Sequence, residues 1–216
     1  MDPSSTSPDQ LQIEKRALRK DMAERRQRLA AAEVKRLSVL ASARLAEVPP
    51  FAGAAAGATI AGFVAIDAKG EADPAAALAA ARLRGAVVVY PRIAATDGKA
   101  PRLRFHRADS AGDLVPGPYG VRQPAPSCPE LPLERIDVML MPGLAFDLTG
   151  RRLGLGGGYY DEATAWLRRS AGGARAVLIG FGFDVQIVPR CPAGGGDAVV
   201  DWVVTDQRAT RCGGAP

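Results

Sequence analysis

The amino-acid sequence predicts an α/β sandwich with a mainly parallel sheet, preceded by a basic helical segment. From residue 59 onward, short apolar runs alternate with stretches of helical period, the pattern of buried parallel strands joined by helices. The length of 216 residues and the 47% content of hydrophobic residues fit one domain with a sizeable core. In such a fold, ligands bind at the carboxyl ends of the strands.

The N-terminal segment is predicted to be helical after a disordered terminus at residues 1–7. Ser7 is placed to cap the first helix, Pro8 to begin it and Gln10 to complete a capping box. Charged residues fill the rest of the surface of this helix. Its hydrophobic face is formed by Leu11, Leu18, Met22 and Leu29.

A second helix is predicted over residues 32–45, and Pro49 ends that helical stretch. Its buried face is Val34, Leu37, Leu40 and Ala41. Apolar runs then predict strands at residues 59–66, 86–90, 103–107, 136–141, 176–181 and 199–205. Further helices are predicted at residues 74–84, capped by Asp73, and at residues 159–169.

Three punctuating features complete the predicted domain. Pro91 is expected to end the second strand, and the proline-rich residues 114–132 are expected to cross the surface without regular structure. Residues 207–216 are expected to form a flexible tail after a single domain of residues 8–206.

Composition limits the possible partners and the compartment. The net charge of +5 comes largely from a basic segment at residues 15–36 that aromatic residues do not interrupt, so a nucleic-acid stacking platform is not indicated. The longest apolar run, residues 54–66, is too short to span a bilayer, and the first thirty residues lack the apolar core of a signal peptide. Three cysteines without metal-ligand spacing suit a reducing compartment. We therefore expect a cytoplasmic monomer with neither a nucleic-acid nor a membrane partner, in which the sole histidine, His106, is an ordinary strand residue.

One stretch, directly after the strand at 136–141, concentrates unusual chemistry: residues 142–161 are PGLAFDLTGRRLGLGGGYYD. Its glycines allow positive φ and a close approach of backbone N–H groups, and its arginines match phosphate oxygens. The helix after it would point its positive end at the same place. The stretch predicts a phosphate site, although it matches neither GxxxxGK[ST] nor GxGxxG, and a simple tight turn stays the alternative.

Further motifs occur in a fixed order around this loop. They are KxxLR at 15–19, the acidic Glu71, YPR at 90–92, YGVRQP at 119–124, FDVQ at 183–186 and VVTD at 203–206. Over about residues 15–206 the series resembles the 5-formyltetrahydrofolate cyclo-ligase (methenyltetrahydrofolate synthetase) family, and GRRLGLGGGYYD at 150–161 is its most specific part.

The resemblance implies a three-layer α/β/α sandwich and a MgATP-dependent ring closure. ATP would phosphorylate the formyl oxygen of 5-formyltetrahydrofolate, and nitrogen 10 would then close the ring to 5,10-methenyltetrahydrofolate with release of ADP and phosphate. Such phosphoryl transfer depends mainly on alignment and charge neutralisation, so it needs no catalytic histidine.

The resemblance also implies which residues bind ATP and magnesium. Lys15 and Arg19, one helical turn apart, correspond to a first cationic clamp, although KxxLR alone is more often a solvated helix face. The second phosphate site would consist of Arg152, Gly154, Gly156, Gly157, Gly158, Tyr159 and Tyr160. Asp161 and Asp197 would be the Mg²⁺ ligands, since one or two carboxylates suffice for this ion. Taken alone, Asp161 is a favourable charge at a helix N-terminus.

The folate side is implied by a second group of residues. Glu71 would bind the pterin ring, because a carboxylate can accept two hydrogen bonds from an aminopyrimidine edge; taken alone, it is a turn residue. Val64, Leu155 and Tyr159 would line the folate, and Arg152 and Tyr159 would be the catalytic residues.

Some positions depart from the family pattern. They are Phe63, Gln123, Leu155 and Gly196. Gln123 stands for a usual glutamate and Gly196 for a usual histidine, so each removes a titratable group near the implied site. These departures motivate an alternative, a folate- or nucleotide-binding protein without turnover. A third hypothesis, a nucleic-acid-binding N-terminal helix, requires binding that falls steeply with salt.

Overall fold

The computed structural model describes residues 7–54, 56–94, 102–169 and 176–213, so the predicted disorder of residues 1–6 lies outside the described residues. The α-helices are α1 (Pro8–Gln27), α2 (Ala31–Leu45), α3 (Pro49–Ala52), α4 (Ala75–Leu83) and α5 (Tyr159–Arg169). The strands are β1 (Thr59–Ala61), β2 (Val87–Ile93), β3 (Leu103–Arg107), β4 (Leu114–Pro116), β5 (Arg122–Pro124), β6 (Glu130–Leu131), β7 (Val138–Pro142), β8 (Ala145–Phe146), β9 (Arg152–Leu153), β10 (Val177–Phe181), β11 (Trp202–Val204) and β12 (Ala209–Arg211).

The main sheet has eight strands in the order β12-β11-β10-β7-β1-β2-β3-β6. The neighbours from β11 to β2 pair in parallel. At the two edges, β12, β3 and β6 add antiparallel pairs. The predicted mainly parallel sheet is confirmed, and the carboxyl ends of its central strands lie along one edge.

Side chains of the central strands alternate between two hydrophobic cores. On β7, Val138 and Leu140 face the core that α2, α3 and α4 complete. Met139 and Met141 face the opposite core, which includes α5. This alternation is the period of two expected for a buried strand. Helices therefore cover both faces of the sheet, as the three-layer prediction required.

The basic helix α1 packs against the hairpin formed by β8 and β9. Ser7 Oγ accepts a hydrogen bond from Gln10 N at 3.2 Å, which confirms the predicted cap. The predicted capping box is not completed, since the Gln10 side chain donates to Glu14 Oε1 at 3.3 Å. The cluster between helix and hairpin consists of Met22, Leu144, Ala145, Leu153, Val188 and Cys191, with Leu18 at its edge. Because the hairpin leads into the glycine loop, this packing holds α1 beside that loop instead of leaving it as a projecting basic arm.

Several strand predictions had wrong ends; the strand expected at 199–205, for example, comprises only Trp202–Val204. The strand expected at 59–66 stops at Ala61, and Ile66 N donates to the Glu71 carboxylate instead of to a neighbouring strand. β2 does not end at Pro91 but continues to Ile93. β1 pairs with β2 only as far as Val89, so the missing N–H of Pro91 costs no bond to β1.

Regions expected to be irregular contain further strands. Residues 114–132 include the β4–β5 hairpin and β6, which pairs with β3. The expected tail at 207–216 includes β12, which pairs with the edge of β11. Just before β12, Arg208 Nε forms an ion pair with Asp184 Oδ1 at 2.6 Å. Leu40, expected to be buried, is 38% exposed because the buried stripe of α2 runs through Leu37 and Ala41. The single domain of residues 8–206 stays a prediction.

Within the described ranges, none of the helices has the length and apolar character needed to cross a bilayer.

Candidate active site

A cavity of about 570 Å³ opens at the carboxyl ends of the parallel strands. Phe63 after β1, Ile93 at the end of β2 and Gly143 after β7 all line it. This is the edge at which the predicted fold binds ligands. The cavity also contains every residue that the family resemblance assigned to a site: Lys15, Arg19, Val64, Glu71, Arg152, Gly154, Leu155, Gly156, Gly157, Gly158, Tyr159, Tyr160, Asp161 and Asp197. The structure brings these residues together, and their individual roles stay predictions.

The glycine loop connects β9 to α5 along the cavity. Gly156 and Gly158 have φ values of 104° and 70°, which glycine adopts without the strain that a Cβ would add. Gly157 has no room for a side chain, since a Cβ there would lie 2.7 Å from Tyr159 Cε2. α5 begins at Tyr159, so its unsatisfied N–H groups and positive dipole end adjoin the loop. This geometry fits an anion.

Arg152 is a buried guanidinium that the β8–β9 hairpin holds at the start of the loop. Its Nη1 donates to Pro142 O at 3.0 Å, and its Nη2 donates to Asp161 Oδ1 at 2.8 Å. Its Nε is buried and has no hydrogen-bond partner within the described part of the chain. A buried donor without a partner is costly, so Arg152 retains an unmet capacity for an acceptor.

The two cations of α1, Lys15 and Arg19, bond to two different residues of the cavity lining. Lys15 Nζ donates to Asp197 Oδ2 at 2.6 Å, and Arg19 Nε donates to Gly154 O at 3.0 Å. Lys15 is only 7% exposed, so the alternative interpretation of KxxLR as a solvated face is wrong for this residue. The packing of α1 on the hairpin therefore turns both cations toward the cavity.

Asp161 and Asp197 lie close together although 36 positions separate them in the sequence. Ala198 N, next to Asp197, donates to Asp161 Oδ1 at 3.0 Å, and Gly194 N donates to Asp197 Oδ2 at 2.5 Å. Each aspartate thus uses one oxygen atom, and the other oxygen, Oδ2 of Asp161 and Oδ1 of Asp197, has no protein partner among the described residues. No cluster of three or more His, Cys, Asp or Glu side chains suited to a metal occurs in residues 7–54, 56–94, 102–169 and 176–213. A cation here would rest on two carboxylates.

Glu71 is a buried carboxylate on another wall of the cavity. Ile66 N donates to its Oε2 at 3.0 Å, and Arg26 Nη1 lies 3.8 Å from its Oε1. Burial raises the pKa of Glu71, against the opposing effects of the Ile66 hydrogen bond and of the Arg26 charge. Arg26 is itself fixed through a 2.8 Å bond to Lys69 O, so the carboxylate has a defined position.

Tyr159 is surrounded by two residues that the sequence analysis did not assign to the site. Its hydroxyl lies 3.2 Å from that of Tyr119, and this contact is the main reason that the pKa of Tyr159 is raised. The guanidinium carbon of Arg102 lies 4.5 Å from the Tyr159 ring centroid. Tyr119 belongs to the YGVRQP motif, which could have identified it. The sequence carries no comparable signal for Arg102.

Two further residues of the segment, Tyr160 and Leu155, have contrasting surroundings. Burial raises the pKa of Tyr160 well above its usual range, so its phenol stays neutral, and its ring lies 5.8 Å from the Arg152 guanidinium carbon. Leu155 is 53% exposed at the cavity surface. Tyr160 is therefore part of the support of Arg152, whereas Leu155 is free to contact a ligand.

The departures from the family pattern leave the architecture intact. Gln123 is buried, and its Oε1 accepts from Ile93 N at 3.0 Å, as a glutamate oxygen would. A Cβ at Gly196 would meet no atom within 4 Å, and the neighbouring Asp197 keeps its ion pair. Phe63 packs edge-on against Phe181 with the ring centroids 6.3 Å apart.

Other reactive side chains take no part in the cavity. His106 lies in β3, and its Nδ1 is 2.8 Å from Cys128 O. This position agrees with its interpretation as an ordinary strand residue. Burial raises the pKa of the Cys191 thiol to about 12, so it is not a thiolate at neutral pH.

The sequence matches a known family over most of its length. A model described as the 5-formyltetrahydrofolate cyclo-ligase family matches residues 12–206. Among curated proteins, the chain is similar to the 5-formyltetrahydrofolate cyclo-ligase of Saccharomyces cerevisiae, with 37% identity over 109 residues that cover 48% of this chain and 51% of that one. It is also similar to the protein of the same name from Mycolicibacterium smegmatis, with 39% identity over 100 residues, 45% of this chain and 48% of that one. The chain thus spans about half the length of the curated relatives it matches.

Solved structures extend the likeness to nearly the whole chain. A 5,10-methenyltetrahydrofolate synthetase from Aquifex aeolicus superposes with a TM-score of 0.73 and 28% identity and covers 94% of both chains. Another from Mycoplasma pneumoniae has a TM-score of 0.66 and 22% identity, over 89% of this chain and 98% of that one; at this identity the likeness concerns the fold alone.

Proposed function

Because the chain belongs to the 5-formyltetrahydrofolate cyclo-ligase family, we propose that it converts 5-formyltetrahydrofolate to 5,10-methenyltetrahydrofolate, with ATP as co-substrate and ADP and phosphate as products. The observation that carries the proposal is that one cavity is lined by two groups of residues that suit different ligands. The phosphate wall consists of Lys15, Arg19, Arg152 and the amides of the glycine loop, and the folate wall consists of Val64, Glu71, Leu155 and Tyr159. A reaction that transfers a phosphoryl group from ATP to a folate needs both ligands in one place.

The phosphate wall supplies positive charge and fixed donors. Arg152 places its guanidinium in the cavity lining, and the amides of the glycine loop and the start of α5 offer backbone N–H groups. Lys15 and Arg19 add two cations from α1. Preorganised donors of this kind stabilise the charge that develops on a transferring phosphoryl group.

Two carboxylate oxygens without protein partners, on Asp161 and Asp197, fit a magnesium ion. Hard oxygen donors suit Mg²⁺, which takes its remaining ligands from water and from nucleotide phosphates. Magnesium bound there would neutralise phosphate charge and orient the triphosphate. Lys15 and Arg152 now neutralise these same carboxylates, so both cations become available to phosphate oxygens when the aspartates take another positive partner.

The folate wall fits the pterin and the reacting end of the folate. The Glu71 carboxylate accepts hydrogen bonds, which suits the amino and N–H groups of a pterin ring. Tyr159 offers a ring face for packing and a hydroxyl for orientation. Val64 and Leu155 add apolar surface. These residues hold the substrate and leave the bond changes to the two bound molecules.

The proposed reaction has two steps. The formyl oxygen attacks the γ-phosphorus of ATP, and ADP leaves. Nitrogen 10 then attacks the activated formyl carbon and gives up its proton to the departing phosphate group, and the C–O bond breaks to release phosphate and form the methenyl bridge. Holding the reacting atoms in one pocket can lower the barrier by about 7 kcal/mol or more.

The alternative of a binding protein without turnover rested on Gln123 and Gly196. Gln123 still supplies the acceptor for Ile93 N, and Gly196 leaves Asp197 in place. Neither residue removes a group that the proposed mechanism uses, and this favours the enzyme.

The test is an absorbance assay for the methenyl product. Protein, 5-formyltetrahydrofolate and MgATP together should give a rising trace, and omission of ATP or removal of Mg²⁺ with a chelator should abolish it. A flat trace from protein that circular dichroism shows to be folded would refute the proposed function. Folate binding without ATP consumption in the same sample would establish the binding-protein alternative.

A further inference from the structure

Arg102, immediately before β3, makes three contacts with the segment that joins the glycine loop to α5. Its Nε donates to Glu162 Oε2 at 2.8 Å, and its Nη2 donates to Gly157 O at 3.0 Å. Its guanidinium carbon lies 4.5 Å from the centroid of the Tyr159 ring. One side chain thus contacts the loop, the first ring after it and the first turn of α5.

Apart from Arg102, the segment is restrained chiefly by the packing of Tyr159 against the hydrophobic core that includes α5. Gly157 lies between two glycines with positive φ, so its peptide has unusual conformational freedom. The Tyr159 ring is partly exposed, and Tyr119, whose ring lies beside it, is 69% exposed. Besides its core contact, the Tyr159 ring therefore adjoins a cation, Arg102, and an exposed tyrosine, Tyr119.

We propose that Arg102 is a positioning residue: it fixes the Gly157 peptide and the Tyr159 ring at the boundary between the phosphate wall and the folate wall. The consequence for turnover rests on the proposed function, because Tyr159 and the loop amides are the groups assigned there to the substrates. Arg102 itself does not line the cavity, so it would act through the loop and the ring.

The geometry distinguishes Arg102 from an ordinary surface ion pair. Arg104, two positions along β3, pairs with Glu130 at 3.1 Å, and the two side chains are 36% and 46% exposed. The pair of Arg102 and Glu162 is similarly exposed, at 42% and 33%. Exposed pairs of this kind contribute little by themselves. Arg102 differs from Arg104 in its added contacts with a loop carbonyl and an aromatic ring.

The chemistry of these contacts needs arginine. Two N–H groups of the planar guanidinium donate to Glu162 and to Gly157 O, while the face of the guanidinium stacks on the Tyr159 ring. A lysine could keep the charge near the ring but has no rigid fork with which to hold both acceptors. Arg102→Lys is therefore a partial replacement, and Arg102→Ala is a complete removal.

The experiment compares Arg102→Ala, Arg102→Lys and the matched control Arg104→Ala, which removes the same charge two positions along the chain. We expect Arg102→Ala to lower kcat/KM roughly 10- to 100-fold, the range that a misplaced catalytic group produces, and Arg104→Ala to change it less than about twofold. Arg102→Lys should recover only part of the loss. In a Tyr159→Ala background, removal of Arg102 should lower kcat/KM less than about threefold, because the ring that Arg102 positions is already absent.

Hydrogen exchange gives a readout that does not depend on turnover. Amides of residues 154–160 should exchange faster in Arg102→Ala than in wild type, whereas Arg104→Ala should match wild type. An inactive wild type would refute the proposed function, and faster exchange in Arg102→Ala would still support the positioning role. Equal exchange and equal kcat/KM in Arg102→Ala and Arg104→Ala would overturn the inference.

Discussion

The phosphate wall and the folate wall of the cavity are built in different ways. On the phosphate wall, Lys15 and Arg152 are buried and pair with Asp197 and Asp161 at 2.6 and 2.8 Å. On the folate wall, the Tyr159 ring packs against the core but adjoins the exposed Tyr119, and Leu155 is 53% exposed, although Glu71 is buried. The charges are therefore set in place before any ligand arrives, whereas much of the surface assigned to the folate is held by few contacts.

This difference has a physical basis. Buried cations and carboxylates must be paired, since an isolated buried charge is strongly unfavourable. The pairs keep the phosphate wall in a neutral and defined state, and preorganised charge costs no rearrangement during phosphoryl transfer. An open folate wall places no such demand on the protein, since apolar and aromatic groups tolerate water.

The largest effect should follow from breaking the phosphate wall. Arg152→Ala removes the cation that joins Pro142 O to Asp161 and leaves that aspartate without its ion pair. We expect kcat/KM to fall about 10³-fold or more, as when an arginine that stabilises phosphoryl transfer is lost. Steady-state kinetics of methenyl formation measure this loss.

The neighbouring Arg151 is exposed and provides the control for that variant. Arg151→Ala removes the same charge one position away and should stay within about twofold of wild type, as surface substitutions do. An Arg152→Ala enzyme within tenfold of wild type would contradict the description of this wall as the catalytic one.

A smaller effect, confined to one substrate, should follow at Glu71. Glu71→Gln keeps an oxygen for Ile66 N but exchanges a carboxylate acceptor for an amide. We expect the KM for 5-formyltetrahydrofolate to rise roughly 10- to 100-fold, since a hydrogen bond to a charged group contributes about 1.5–3 kcal/mol. The KM for ATP, measured in parallel, should not change. A rise in the KM for ATP alone would place Glu71 on the wrong wall.

We also expect Glu71→Gln to stabilise the protein in a pH-dependent way. Because burial raises the pKa of Glu71, the carboxyl binds its proton more tightly when folded, so its ionisation lowers stability as the pH rises above the ordinary carboxyl pKa. Glu71→Gln should therefore have a higher Tm than wild type at about pH 8, and the difference should vanish below about pH 4. Calorimetry at both pH values measures it. A lower Tm for the variant at the higher pH would show that the Arg26 and Ile66 contacts outweigh burial.

The smallest effect should come from the exposed surface of the folate wall. Leu155→Ala removes a side chain that is 53% exposed, so we expect no change in Tm and less than about a threefold change in kcat/KM. A large loss in kcat/KM would show that the loop closes over the substrate, and the contrast between the two walls would then hold only for the unbound protein.

Sequence patterns predicted the parts of the fold in which local signals agree. The apolar runs at 136–141 and 176–181 became β7 and β10, and the Ser7 cap formed as its residues predicted. Pro91 misled the prediction because its local preference does not reveal that β1 ends beside Val89. That information belongs to the sheet and not to the segment.

The site shows the same division. Motif residues such as Arg152 were predicted to belong to a site, and they lie in the cavity. The burial of Lys15 depends on Asp197, 182 positions away, and the placement of Arg102 depends on how β3 lies beside α5. Contacts of this kind arise only when the chain has folded, so no pattern along the sequence could have identified Arg102.

The central claim is that one cavity joins ATP to folate chemistry, and the stoichiometry of the products tests it most directly. Methenyl product and inorganic phosphate, measured together in one reaction with limiting 5-formyltetrahydrofolate and excess MgATP, should form in equal amounts and stop together. Phosphate released without methenyl product, or methenyl product formed without phosphate, would contradict it.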